Sequence, residues 1–314
     1  LLVRAETELS MNQPASAQDS LTTLLRRFPD VAQAHYLLGR AELAAGRAER
    51  ATAAFERTVE LDPRHLQARV GLARGAVLAG QQAEADGALR SLQAEYPDHP
   101  EVLALQGWMS MRGGDSKAAF EAFDEAAQRA STSRLTVDLA RMQWESLQFD
   151  QALSTLDAWL QQHPQDLGVL FEKGTFYLLQ NRPDQAREVF QRVVEKDPEH
   201  VAALNNLAWL DRKEDPSRAL HYAERAYELA PSDPNVLDTF SVVLAQSGDL
   251  DKAQRMVERA LEASPGNPTV RYHQAMILAR KGEEVQARRL LQKLLDEGGN
   301  FFERAQAAAL LNRL

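Results

Sequence analysis

Cysteine is absent from all 314 residues. That one gap removes disulfides, thiolate metal sites and a cysteine nucleophile together, and it leaves the redox compartment open. No apolar run reaches the roughly 18 residues that a membrane-spanning helix needs. Basic side chains are in deficit: 36 Lys and Arg stand against 45 Asp and Glu, for a net charge of −9 and a pI near 5.4. A dedicated nucleic-acid surface needs the opposite balance. Glycine-rich phosphate loops are missing, since Gly113-Gly114 and Gly298-Gly299 read as turns. His-Glu-x-x-His is missing too. The histidines at 35, 65, 99, 163, 200, 221 and 273 include no pair at the spacing of a helical metal site. Asn267-Pro268-Thr269 is disqualified as a glycosylation sequon by its proline. Carboxylates are plentiful but fall on polar helix faces, where solvation is their ordinary role. No nucleophile, base and orienting group can be assembled, so neither an enzyme nor a cofactor is expected in this chain. The opening "LLVRAETELS" has no initiator Met and no signal-peptide pattern. It reads as the middle of a helix, which predicts a natural start further upstream.

What the chain does have is a beat. "ELDPRHLQA" at Glu60–Ala68 returns as "EKDPEHVAA" at Glu195–Ala203. Prolines fall at 29, 63, 97, 164, 198, 231 and 265, at steps of 33 or 34 with one site skipped at Ser131. Alanines repeat at 17, 51, 85, 119, 152, 186, 219, 253 and 287. Four residues after each comes Leu21, Phe55, Leu89, Phe123, Leu156, Phe190, Ala223, Val257 or Leu291, mostly large and apolar. A second small-residue series runs Ala5, Gly39, Ala73, Gly107, Ala140, Gly174, Ala208, Ser241 and Ala275.

Within a unit, Leu170, Gly174 and Tyr177 lie on one helical face, interrupted by Lys173. Asn181-Arg182-Pro183-Asp184 makes a turn, and Ala186, Phe190, Val193 and Val194 form the stripe of a second helix. Asp-Pro-x-His is then punctuation: proline cannot continue the finished helix and sets up the next. His65, His99 and His200 accordingly read as turn residues. The two steps of 33 place single deletions in turns, near the end of the fourth unit and inside "WLDRKEDPSRA". A deletion inside a helix would instead rotate its apolar face by about 100°.

This arrangement resembles the tetratricopeptide repeat (TPR), a pair of antiparallel helices of about 34 residues with small residues at positions 8, 20 and 27. The unit from 167 supplies Leu170, Gly174, Tyr177, Ala186, Phe190 and Pro198, and departs from the pattern at Lys173 and Val193. The unit from 32 supplies Leu38, Gly39, Ala51, Phe55 and Pro63. Trp159 stands at position 27, which predicts locally altered packing. The resemblance implies an all-α, right-handed superhelical solenoid. Its repeats would be 32–65, 66–99, 100–132, 133–166, 167–200, 201–233, 234–267 and 268–300, after a partial repeat at 1–31 and before a capping helix at 301–314. The stretches "ALNNLAWL" and "YHQAMILARKGE" and the closing "FFERAQAAALLNRL" further resemble the TPR-repeat lipoprotein of bacterial PEP-CTERM/exosortase systems. That likeness implies a Gram-negative envelope, periplasmic or outer-membrane-associated, and a part in exopolysaccharide assembly or protein sorting. Without it, a cytoplasmic location is expected.

In the repeat family the first helix of each pair lines a concave groove with positions 2, 5, 9, 12 and 13. Reading positions 5, 9 and 12 gives the candidate binding residues Tyr36, Arg40, Arg74, Trp108, Arg141, Trp144, Phe171, Asn205, Trp209, Arg212, Tyr272 and Met276. Arg and aromatic side chains are the types enriched at binding hot spots. The alternative is that Arg40, Arg74 and Arg141 pair with acids of neighbouring helices and the tryptophans pack between repeats. The carboxylate clamp of chaperone-binding members is not matched around Asn206, because Phe171, Thr175, Asn235 and Thr239 occupy its other positions. The expected function is therefore a non-catalytic scaffold that holds a peptide or partner protein. Two alternatives stay open: an exopolysaccharide gripped by the same wall, and a regulatory region of an enzyme lying upstream.

Overall fold

The computed structural model describes residues 1–10, 14–130, 132–299 and 301–314. Among them are 19 helices and no strand. None of these helices is long and apolar enough to cross a membrane. The chain is an all-α solenoid in which consecutive helices pair and stack. It divides into two compact units, Leu1–Glu172 and Lys173–Leu314.

The first unit contains α1 (Leu2–Ser10), α2 (Pro14–Arg27), α3 (Ala32–Ala44), α4 (Ala48–Leu61), α5 (Leu66–Leu78), α6 (Gln82–Glu95), α7 (Pro100–Arg112), α8 (Ser116–Arg129), α9 (Ser133–Glu145), α10 (Phe149–Gln162) and the start of α11 (Leu167–Leu179). The second holds the rest of α11, then α12 (Pro183–Lys196), α13 (Val201–Asp211), α14 (Pro216–Leu229), α15 (Pro234–Ser247), α16 (Leu250–Ala263), α17 (Pro268–Arg280), α18 (Glu284–Asp296) and α19 (Arg304–Leu311). The last of these packs on α18 through Ala307, Leu310 and Leu311.

The two small-and-large series meet inside each pair. A Cβ built on Gly39 would stand 2.5 Å from the Phe55 ring, one on Gly107 2.9 Å from Phe123, and one on Gly174 2.6 Å from Phe190. Where the first series has Gly the second has Phe. Where it has Ala, at 5, 73, 140 and 275, the partner is Leu21, Leu89, Leu156 or Leu291. The summed volume of these couples is thus held roughly constant, as close packing demands, whereas Ala208 with Ala223 and Ser241 with Val257 make smaller couples. Phe123 and Phe190 are 2% and 0% exposed. Burying a ring of this size contributes about 1.5–3 kcal/mol.

Asp-Pro-x-His has a fuller explanation than helix termination. Asp62 and Asp197 accept, through Oδ1, the backbone N–H two residues on, each at 3.1 Å. The following histidine caps the next helix: His65 Nδ1 accepts from the Ala68 N–H at 3.3 Å, and His200 Nδ1 from the Ala203 N–H at 3.2 Å. His99 does the same for the Glu101 N–H at 3.2 Å. The helices therefore start on imidazole where serine or aspartate is usual. Trp159, at the end of α10, stacks on His163 at 4.0 Å and donates from Nε1 to Asp166 at 2.8 Å. It ties the turn to the start of α11. Ser131, where the proline series skips and one deletion falls, lies outside the described residues.

The turn between the two helices of a pair needs one left-handed residue, and the chain supplies it at a fixed place: Gly46, Gly80, Gly114, Leu147, Asn181, Gly248 and Gly282 all have φ between 56° and 94°. Leu147 is the ill-suited member, at φ 62° and 75% exposed. An L-residue with a Cβ costs about 1–2 kcal/mol in that region. Leu147→Gly is expected to raise stability by about 0.5–1 kcal/mol once the greater chain entropy of glycine is subtracted. A urea midpoint that does not rise would show that the Leu147 side chain packs better than its exposure indicates.

The pair α13–α14 omits this residue. Its turn is one residue short, α13 ends at Asp211, and Arg212 is right-handed. The buried Asp211 carboxylate takes over as the fastener, accepting from Arg187 Nε at 2.7 Å and from Arg218 Nε, while its carbonyl accepts from the Asp215 N–H at 2.8 Å.

Candidate functional site

In the first unit α5, α7 and α9 lie side by side, and they carry Arg74, Trp108, Arg141 and Trp144 of the residues singled out above. Arg74 on α5 reaches toward α7, its guanidinium carbon 5.5 Å from the centre of the Trp108 ring. Arg112 stands over the same ring at 5.4 Å. Beside Arg74 is a cavity of about 220 Å³, lined by Val70, Arg74, His99, Pro100, Glu101, Ala104, Ala130, Thr132, Arg134 and Leu135. Its walls come from three successive first helices and the turns that precede two of them.

The electrostatics of this cavity centre on Arg74. Its Nε is buried without a hydrogen-bond partner, and among the described residues no carboxylate forms an ion pair with it. Burial pushes its pKa down to about 10, and the charge of Arg134 adds to that, against the opposing pull of Asp138 and Glu101. The guanidinium remains charged at neutral pH. Arg134 is engaged only loosely, its Nε 3.8 Å from Asp138 Oδ2. His99 has its Nδ1 committed to capping α7.

The other residues of this unit are placed differently. Tyr36 packs on His65 at 4.7 Å and on Phe55 at 6.0 Å, with its phenol pKa raised chiefly by burial. Arg40 is exposed and lies over the Tyr36 ring at 5.9 Å. Arg141 is bound by Glu172, with Nε and Nη2 donating to the two carboxylate oxygens at 2.8 and 2.6 Å. Those bonds hold its pKa above the ordinary value. Of the three arginines at position 9, Arg141 thus forms an ion pair with a neighbouring acid, whereas Arg74 forms none with Glu101 or Asp138, the acids nearby. Trp144 meets Phe149 edge-on at 4.7 Å, and Phe171 is half-buried.

In the second unit Trp209 carries Arg212 over its ring at 3.7 Å, and the same guanidinium donates to the Trp209 carbonyl. Trp209 also approaches His273 at 5.7 Å. His273 Nδ1 lies 2.8 and 2.9 Å from the two carboxylate oxygens of Asp238, and both residues are buried. Tyr272 flanks His273 at 5.5 Å, Met276 packs on the core of the unit, and Asn205 keeps a buried Oδ1 without a partner. This cluster is interlocked. No group of three metal-ligating side chains occurs among the described residues.

Reading positions 5, 9 and 12 alone missed Glu101 and Arg134, which sit at position 2 of their repeats. It also missed Glu172, at position 6 of the repeat after Arg141. The signal was present: Arg141 and Glu172 are 31 residues apart, so position 9 of one repeat faces position 6 of the next. The same step from Arg74 lands on Leu105, and from Arg40 on Gly71, neither of which can pair.

Comparison with known proteins bears on the repeat fold. The TPR domain model of cytochrome c-type biogenesis protein H matches residues 1–135, and two further tetratricopeptide repeat models match 137–200, 177–234 and 244–314. The TPR repeat-containing protein PA4667 of Pseudomonas aeruginosa is 28% identical over 142 residues, covering 42% of this chain and 24% of that protein. A chain in the crystal structure of the APC/C hetero-tetramer Cut9-Hcn1 superposes with a TM-score of 0.69 at 15% identity, over 96% of this chain and 59% of the other. A tetratricopeptide repeat protein from Parabacteroides merdae superposes with a TM-score of 0.53 at 16% identity, over 64% and 80%. The chain thus spans about a quarter of the Pseudomonas relative and three-fifths of the Cut9 structure's chain. At these identities the structural likenesses establish the fold. The repeat models, which between them match residues 1–135, 137–234 and 244–314, identify the chain as a tetratricopeptide repeat protein.

Proposed function

We propose that the chain is a non-catalytic interaction scaffold whose first helices hold a peptide or a segment of a partner protein, with the cavity at Arg74 as an anchoring point. One observation carries this reading: the half-buried Arg74, set over Trp108, lines a side-chain-sized cavity, and its buried Nε lacks a hydrogen-bond partner. A buried, unpartnered polar group is costly, and a ligand that supplies the missing acceptor recovers that cost. The exopolysaccharide alternative has less support. Sugar stacking needs an open aromatic face, whereas Arg74 and Arg112 both stand over Trp108 and Trp144 packs on Phe149.

The setting we propose is a bacterial cell-envelope system for exopolysaccharide assembly or protein sorting. It rests on the closing stretch Phe301–Leu314 and its resemblance to the lipoprotein family. Fractionation of the native protein into the cytosol would remove that setting without touching the scaffold.

The scaffold itself is tested by panning a displayed library of random peptides against the full chain. Enriched peptides are expected to lose about thirtyfold in affinity with Arg74→Gln, the ~2 kcal/mol of a hot-spot residue, at an unchanged melting temperature. Failure to enrich any sequence, or equal binding by the variant, would end the assignment of this wall.

A further inference from the structure

We propose that the cavity at Arg74 seats one carboxylate of the bound chain, paired with the Arg74 guanidinium and flanked by apolar walls. The inference rests on the peptide-scaffold reading and gives the anchoring group its chemical class.

Size restricts the occupant first. At about 220 Å³ the cavity falls below the roughly 300–1,000 Å³ of sites that enclose a cofactor or drug-sized molecule. It has room for one side chain or one chain terminus. Val70, Pro100, Ala104 and Leu135 offer contact to methylene groups, so a short aliphatic stem is accommodated alongside the polar end.

Charge restricts it next. Arg74 supplies a positive charge with a donor left over. Trp108 lies against its guanidinium, which lowers the entropy lost when that plane meets a ligand. A guanidinium matches a carboxylate with two parallel N–H···O bonds. Arg134 also lines the cavity, but it shares its charge with Asp138. Glu101 lines it as well. With Glu101 in the lining and Asp138 close to Arg134, two carboxylates already stand near the two arginines, so the site favours a single added negative charge over a phosphate dianion. A cationic side chain is disfavoured by the two arginines. A neutral amide would offer Arg74 one acceptor oxygen and no opposite charge, whereas a carboxylate offers two oxygens and bonds charged at both ends.

Two sources present this chemistry: the side chain of Glu or Asp, and the C-terminus of a chain. Titrations of the ¹⁵N-labelled full-length chain separate them. The readout is the Arg74 Nε–H resonance, assigned by its disappearance in Arg74→Lys. N-acetyl-glutamate α-amide serves as probe for the side chain and N-acetyl-leucine for the terminus. N-acetyl-glutamine α-amide, N-acetyl-leucine amide and inorganic phosphate serve as references.

At least one carboxylate probe is expected to shift the resonance saturably, and to bind about tenfold or more tightly than its amide. Whichever probe does so identifies the source. Arg74→Met, checked for an unchanged melting temperature, is expected to abolish binding of that probe measured by isothermal titration calorimetry, and Glu101→Gln to strengthen it. Carboxylates that bind no better than their amides would overturn the inference, as would phosphate binding as tightly as the carboxylate. If library peptides still depend on Arg74 while carboxylates do not bind, the scaffold reading stands and this one fails. If neither binds, both fail.

Discussion

Replacing Gly174 with alanine is expected to destabilise the chain by about 1–2 kcal/mol, although alanine is the better helix former by about 1 kcal/mol. The new methyl would meet the Phe190 ring at 2.6 Å, well inside any real contact, and overpacking of this kind costs about 1–3 kcal/mol. Phe190 is fully buried and has nowhere to retreat. Two comparisons make the test specific. Gly87→Ala, in α6, meets only the tip of Arg90 at 4.0 Å, so it is expected to stabilise by about 0.5–1 kcal/mol through helix propensity alone. Gly174→Ala combined with Phe190→Leu recreates the couple found at Ala140 and Leu156. It is expected to recover most of the loss, with a coupling of about 1 kcal/mol or more between the sites. Urea denaturation followed by circular dichroism measures all three variants. Additive effects at 174 and 190 would refute the direct steric account.

Asp211→Ala is expected to have the larger effect, a loss of about 3 kcal/mol or more. The carboxylate is 0% exposed and is held between Arg187 and Arg218. Removing one member of a buried ionic cluster leaves the others desolvated and costs about 3–5 kcal/mol. Arg187 keeps Asp184 and Glu214 within 2.7 Å, which sets the expectation at the lower end. Asp211→Asn separates charge from shape: it preserves the side chain's outline and should still cost most of the same amount. Inserting one glycine after Asp211 in the alanine variant, to restore the left-handed turn residue, is expected to return part of the stability. A loss below about 1 kcal/mol in Asp211→Ala would show that the short turn holds without this cluster.

The helices were legible because their signal is local and repeated. Ala186 and Phe190 are one helical turn apart, and each repeat restates them, so the period survives the substitutions at Lys173 and Trp159. Even the short turn in "WLDRKEDPSRA" could be placed, since the series resumes in register at Ala219. The function of the histidines in Asp-Pro-x-His was not legible in the same way. Capping by an imidazole depends on backbone directions at the turn, which spacing alone does not specify.

The site was legible by position and not by state. Arg40, Arg74 and Arg141 occupy equivalent places, and the sequence alone identified all three as inward-facing candidates. Their environments differ because a side chain on one first helix is answered by the residue 31 places later, on the next. That residue is Glu172 for Arg141, which is therefore occupied, and Leu105 for Arg74, which is left beside a cavity with no ion pair of its own. The sequence by itself determined the paired helices, their period and the positions at which the candidate binding groups recur, because those follow from intervals along one chain. Only the tertiary structure decided which cation is still available to a ligand, because that depends on desolvation and on what the adjoining helix brings within reach.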